Sequence, residues 1–228
     1  MNQNTNGLIY GLSYFTALPF RVDRFEANGE FYKGVLKSLP LSGFILAICT
    51  ILFYKILPYN DIYSGFVASI FYIFLYGMLH LEAVADTIDG YFASLSSKDI
   101  YQVMHEPQIG ALGAIGAFCF TLLQIGAITY SLYGDHYFII LFALIFSRLS
   151  VWFTLELPFH PKSSFVLSLQ KNYDKTNILN LLLFPLRYIT LYIANGINNR
   201  LGFLNGDILG FIIVVNEIIL LNIGLMLC

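Results

Sequence analysis

Apolar runs near the length of a bilayer crossing recur along this chain. Residues 40–57, 62–81, 109–132, 137–157 and 208–228 are each largely apolar, and about 20 such residues cross the hydrocarbon core. Of 228 residues, 57% are hydrophobic and only 11% charged, against roughly 25% charged in soluble domains. The expected fold class is all-α. We expect a polytopic membrane helical bundle of about six or seven transmembrane helices, some short or re-entrant, in a single integral-membrane domain over residues 1–228.

Charge placement orients the runs. Residues 8–20 are too short to span and end near Pro19, so they read as an interfacial or re-entrant helix. Arg21, Arg24, Lys33 and Lys37 put the next stretch in the cytoplasm by the positive-inside rule, and Lys162, Lys171 and Lys175 do the same for residues 158–175. The run 62–81 then delivers the residues after it to the cytoplasmic side. Residues 178–194 carry Pro185 and Arg187 near their middle and read equally as a plain span or as a kinked, re-entrant segment. A plain span would place Asp207 on the opposite face.

Other features narrow the field. A net charge of −2 argues against a nucleic-acid surface. Cys49, Cys119 and Cys228 lie in apolar stretches without CxxC spacing, so neither a disulfide framework nor a zinc site is expected. No removed signal peptide is expected, because residues 1–7 lack a positive charge and residues 8–19 lack a cleavage pattern.

Chemistry concentrates in residues 80–116. Glu82, Asp86 and Asp89 follow i, i+4, i+7 spacing, which puts them within roughly 60° of one another around a helix. Three carboxylates on one stripe repel, so a cation is expected among them. A hard divalent ion such as Mg²⁺ takes one or two carboxylates together with substrate phosphates and water. Gly110, Gly113 and Gly116 make a bare face at the start of the next helix. That face suits either a phosphate near a helix N-terminus or close helix packing. His105 and Glu106 precede Pro107, which fits the first turn of that helix. His80 is a candidate general base or a hydrogen-bonded interfacial histidine.

Arg148 and Glu217 each lie about ten residues into an apolar run, hence about 15 Å deep, and are expected to pair across two helices. Asp207, after Asn205-Gly206, reads as a helix N-cap and as a candidate site residue.

The run His80-Leu-Glu-Ala-Val-Ala-Asp-Thr-Ile-Asp-Gly90 resembles the signature of the cobalamin synthase family, the adenosylcobinamide-GDP ribazoletransferases. Met104 to Gly113 resembles that family's second block, and Asn205-Gly-Asp-Ile-Leu-Gly210 with Glu217 its third. Phe15-Thr-Ala-Leu-Pro19 and Arg148 also fit its pattern. The first family aspartate is Glu82 here, the lysine and aspartate of the second block are His105 and Glu106, and its arginine is Gln108. The arginine of the N-terminal motif is Ala17.

The resemblance implies a Mg²⁺-dependent transfer that joins adenosylcobinamide-GDP to α-ribazole or its 5′-phosphate, releasing GMP. It implies Glu82, Asp86 and Asp89 as metal ligands and Asp89, Asp86 and His80 as catalytic residues. Glu106, Gln108, Gly110, Gly113 and Asp207 are the expected substrate contacts. The setting would be the cytoplasmic (inner) membrane, crossed several times, with the active site on the cytoplasmic side. The partners would be the two substrates and the bilayer, with no nucleic acid and a homo-oligomer left open.

Two rival readings remain. A CDP-alcohol phosphotransferase also uses spaced aspartates at a membrane helix end, but Tyr91-Phe92-Ala93-Ser94 lacks the arginine that its signature requires. A cation transporter would need acids at mid-membrane on several helices, and only Glu217 qualifies.

Overall fold

A computed structural model describes residues 2–22, 25–58, 61–96, 98–174 and 184–228. Every regular element among them is helical. In chain order these are α1 (Gln3–Phe15), α2 (Gly29–Ile56), α3 (Ile62–Tyr76), α4 (Leu79–Ala93), α5 (Ile100–Val103), α6 (Ala111–Tyr133), α7 (Tyr137–Thr154), α8 (Ser164–Lys171), α9 (Phe184–Leu201) and α10 (Gly206–Met226). Short polar side chains start several of them. Asn28 accepts from the Phe31 amide, Asp61 from Ser64, Asp99 from Gln102 and Asn205 from Ile208, each satisfying an amide that the first turn leaves free.

Four helices are long and apolar enough to cross a membrane: α2, α6, α7 and α10. A fifth crossing is counted if α3 and α4, bent by 81° at their junction, form one broken span. Among the described residues these are the long crossings; the expected six or seven also counted short or re-entrant helices. At 13 residues α1 is short, and α9 carries Arg187, Asn195, Asn198, Asn199 and Arg200.

The first long helix also begins eleven residues before Pro40, where the sequence suggested it would start. Proline deprives the carbonyl four residues earlier of its partner. The indole N–H of Trp152 on α7 donates to that carbonyl, on Leu36, at 3.2 Å. The helix therefore continues through the proline, and the freed acceptor joins α2 to α7.

The helices define two ends. At one, Lys55 in the last turn of α2 meets Asp135 between α6 and α7 at 3.4 Å. At the other lie the starts of α2, α6 and α10 and the ends of α3 and α7. Asn172, just past α8, lies against Gly29 at this second end, and Leu201 leads into α10 there. The chain between α7 and α10 thus returns to the side it left, and Asp207 emerges beside the carboxylate stripe. Residues 175–183, part of the segment with two readings in the sequence, lie outside the described residues. Pro185 falls in the first turn of α9, where proline is tolerated, and Arg187 reaches Glu156 at 2.7 Å.

The interior is polar at one level. Arg148 on α7 pairs with Glu217 on α10, both buried. Tyr72 donates to Glu217 at 2.6 Å and accepts from Arg148 at 3.0 Å, and Gln124 donates to Glu217 at 2.8 Å. Four helices, α3, α6, α7 and α10, therefore meet on one ion pair. Removing one partner of a buried pair strands a charge, at about 3–5 kcal/mol, whereas removing both is far milder. Arg148→Leu and Glu217→Leu should each lower the melting temperature in detergent by much more than the double substitution does. A double variant as unstable as the two losses added together would refute the pairing.

Candidate functional site at the α4 end of the bundle

Because of its 81° turn from α3, α4 lies across the first turns of α6 and α10 instead of running beside them as a span. Ala83 sits against Gly210 of α10, while Ala85, Ile88 and Asp89 sit against Gly110, Gly113 and Gly116 of α6. The bare glycine face is filled by α4. A Cβ added at Gly113 would lie 2.3 Å from the Asp89 carboxylate and 2.6 Å from the Ala85 carbonyl. Asp89 accepts from the Gly110 amide at 2.7 Å and from the Gly113 amide at 2.8 Å. Both of its oxygens thus cap α6, where free amides and the helix dipole favour negative charge.

The three-carboxylate stripe is consequently shared between two neighbours. Asp89 turns to α6. Asp86, half-buried, faces the other way: burial first, then the charges of Asp207, Glu82 and Asp89, push its carboxyl up to about 7. The largest charge acting on it thus comes from α10, 121 positions away in the chain numbering. Among the described residues no three His, Cys, Asp or Glu side chains converge closely enough to hold an ion as placed. Two carboxylates with substrate phosphates suffice for a hard divalent cation, and Glu82 and Asp86, one helical turn apart with Asp207 nearby, are an all-oxygen donor set of that kind.

Asp207 is not the cap of α10. Asn205 takes that role, accepting from Ile208 at 2.9 Å, and donates to Asp207 at 2.9 Å. The competing explanation for Asp207 is thereby removed. His80 is 3% exposed and stacks on Tyr76 with ring centres 4.2 Å apart. Burial and then the Arg148 charge push its imidazole down to about 3, so it is neutral at ordinary pH.

Two clefts flank the stripe. One, about 540 Å³, is lined by Asp89, Lys98, Glu106, Gln108 and Gly110. Three of the expected substrate contacts thus stand together, with Gly113 buried behind them. The other, about 250 Å³, holds Asp207 with Tyr101, His105 and Lys162. Tyr101 stacks on His105 at 4.1 Å and on His160 at 4.3 Å, with the Lys162 ammonium 4.9 Å from its ring. Sequence reasoning missed Tyr101, His160 and Lys162. The one signal was their place in polar connections on the stripe's side of the membrane.

A helical membrane protein with its carboxylates and open clefts gathered at one bundle end is the class defined so far, a layout suited to phosphate-bearing substrates reached from one membrane face. The chain belongs to the cobalamin-5-phosphate synthase family, whose model matches residues 7–225. It is 36% identical to the adenosylcobinamide-GDP ribazoletransferase of Treponema denticola over 145 residues, 63% of this chain and 55% of that protein. The proteins of the same name from Thermoanaerobacter sp. (strain X514) and Clostridium botulinum (strain Eklund 17B / Type B) are 24% and 25% identical, over 92% and 93% of this chain and 92% and 94% of theirs. No solved structure matches.

The α4–α6 contact makes a direct prediction. Gly113→Ala should destabilise the protein by about 1–3 kcal/mol, the usual range for overpacking. Gly126→Ala, where no atom lies within 4 Å of the new Cβ, should leave the melting temperature unchanged or raise it. Equal behaviour of the two would show that α4 and α6 are not in contact through Gly113.

Proposed function

We propose that this chain joins adenosylcobinamide-GDP to α-ribazole or its 5′-phosphate, giving adenosylcobalamin or its 5′-phosphate and GMP. Family membership and the names of its relatives support the reading. The observation that carries it is the crowding of Asp86 by carboxylates from both α4 and α10 beside two open clefts.

Glu82 and Asp86, together with substrate phosphate oxygens, would hold Mg²⁺. When bound, the ion supplies neutralisation of diphosphate oxygens. Lys98 adds a positive charge to the larger cleft, where Glu106 and Gln108 give polar contacts for the nucleotide end of the donor and Gly110 leaves the wall without a side chain. Asp89, with both oxygens on amides, positions α6 against α4 and so fixes the wall of that cleft.

The acceptor hydroxyl attacks the phosphorus on the cobinamide side. Its proton leaves to a carboxylate of this cluster, and the bond to the GMP oxygen breaks with the electron pair on GMP. Ion transport is disfavoured, since the mid-bundle acid Glu217 is neutralised by Arg148.

The site end carries Lys33, Lys37, Lys98, Lys162 and Lys171, whereas Lys55 marks the other end. By the positive-inside rule this asymmetry supports a cytoplasmic position for the clefts.

Purified protein in detergent should release GMP from adenosylcobinamide-GDP only when α-ribazole and Mg²⁺ are both present. Asp86→Asn and Glu82→Gln should lower kcat by about a hundredfold or more, the scale of losing a charge-stabilising group. Mg²⁺ alone should raise the melting temperature of the native protein, by mass action, and not that of Asp86→Asn. Absence of GMP release by the native protein would overturn the assignment.

A further inference from the structure

The cleft that holds Asp207 continues inward. Behind it is an inner chamber of about 90 Å³ between α1, α4, α8 and α10. The two spaces share Tyr14, Phe165, Val166, Gly206 and Asp207 as walls. The inner chamber alone is smaller than the roughly 150 Å³ that accepts benzene. Together they reach the roughly 300 Å³ at which small-molecule pockets begin.

The chemistry of the walls changes along this path. Inside, the lining is apolar and aromatic, with Phe15, His80, Leu169 and Ile213 around the innermost space. Tyr14 and Phe165 stand at the junction with ring centres 5.3 Å apart, and Phe15 lies 5.1 Å from Tyr14. Outside, Lys162, His105, Ser163 and Ser164 make a polar rim. Asp207 stands between the two.

One buried atom in the inner wall is unsatisfied. His80 Nδ1 is shut off from solvent and makes no hydrogen bond. Buried polar atoms are nearly always paired, and an orphan in the wall of an apolar chamber asks for a ligand that brings the partner. The neutral imidazole can donate there, so a ring nitrogen with a free lone pair is a suitable counterpart.

The position of the chambers matters as much as their walls. An in-line displacement needs the attacking and leaving oxygens on opposite sides of phosphorus. Asp89 of α4 lines the larger cleft, and Asp207 of α10 lines the smaller. Donor and acceptor therefore have separate rooms.

Resting on the transfer reaction above, the geometry points to the paired chambers as the seat of the nucleoside acceptor. Its heteroaromatic base stacks at Tyr14 and Phe165, at the junction of the two spaces, with one edge turned into the inner chamber toward His80. Asp207 accepts a hydrogen bond from a sugar hydroxyl. The 5′-phosphate, when the acceptor carries one, lies at the rim with Lys162 and His105.

Calorimetric binding to the native protein and three variants tests this, with α-ribazole, α-ribazole 5′-phosphate and adenosylcobinamide-GDP as separate probes. His80→Phe keeps a ring and removes the nitrogens; Leu169→Trp fills the inner chamber. Each should weaken α-ribazole binding about tenfold, the scale of one lost hydrogen bond or a blocked ring site, and leave adenosylcobinamide-GDP binding unchanged. Lys162→Ala, at an exposed rim position, should weaken the 5′-phosphate form about tenfold and α-ribazole itself little. Unchanged acceptor binding in all three, or weakened donor binding instead, overturns the chamber assignment while leaving the reaction in place. Failure of the native protein to bind either form of the acceptor overturns the reaction with it.

Discussion

The Arg148–Glu217 pair sets the level at which the bundle is assembled. A lone charge at that depth is expensive, so α7 and α10 can dock only in the register that joins the two. Tyr72 and Gln124 complete the shell from α3 and α6. The consequence reaches the site by stacking. The Arg148 guanidinium lies 4.9 Å from the Tyr76 ring, and His80 stacks on that same ring at 4.2 Å. Tyr76 ends α3 and His80 stands in the first turn of α4. The ion pair therefore holds the joint from which α4 turns, and that turn brings the carboxylates over the starts of α6 and α10.

Electrostatics then divides the α4 acids by their surroundings. Asp89 meets two backbone amides at a helix N-terminus, and those two hydrogen bonds tie it to α6. Asp86 meets burial and like charge, which disfavour the ionised form. Residues of the same type, three positions apart, thus take different work: one clamps two helices, the other creates demand for positive charge. A carboxylate perturbed as Asp86 is, by burial and by like charges beside an open cleft, marks a functional-site candidate.

Much of this is legible in the order of amino acids alone. Helical periodicity groups Glu82, Asp86 and Asp89, and depth by itself matches Arg148 to Glu217. The rest depends on contacts between residues far apart in the chain. Pro40 looks like a helix start because its partner, the Trp152 indole, lies on another helix. Asp207 looks like a cap because Asn205, two residues earlier, is an equally good one, and only geometry chooses between them. Gly110 and Gly113 fit a phosphate or a helix, and the choice turns on Asp89 reaching across 21 and 24 residues. His80 sits in a polar motif yet is buried, since its burial is made by Phe15 and Tyr76 on other helices.

The departures from the family pattern look different once placed. Gln108 lacks the charge of the expected arginine, yet it lines the same cleft as Lys98, so a cation remains available to an anionic substrate there. His105 replaces a lysine, but it is held by the Tyr101 ring and carbonyl and stands in the cleft with Lys162. In both places a long flexible cation has been exchanged for a shorter side chain that stands beside a lysine. Each position keeps a hydrogen-bonding group beside an ammonium: the Gln108 amide with Lys98, and the His105 ring with Lys162. Glu82 is the reverse case. It keeps its charge, gains a methylene and is exposed on the first turn of α4, so its longer reach can still bring an oxygen to the side of Asp86 that Asp207 faces.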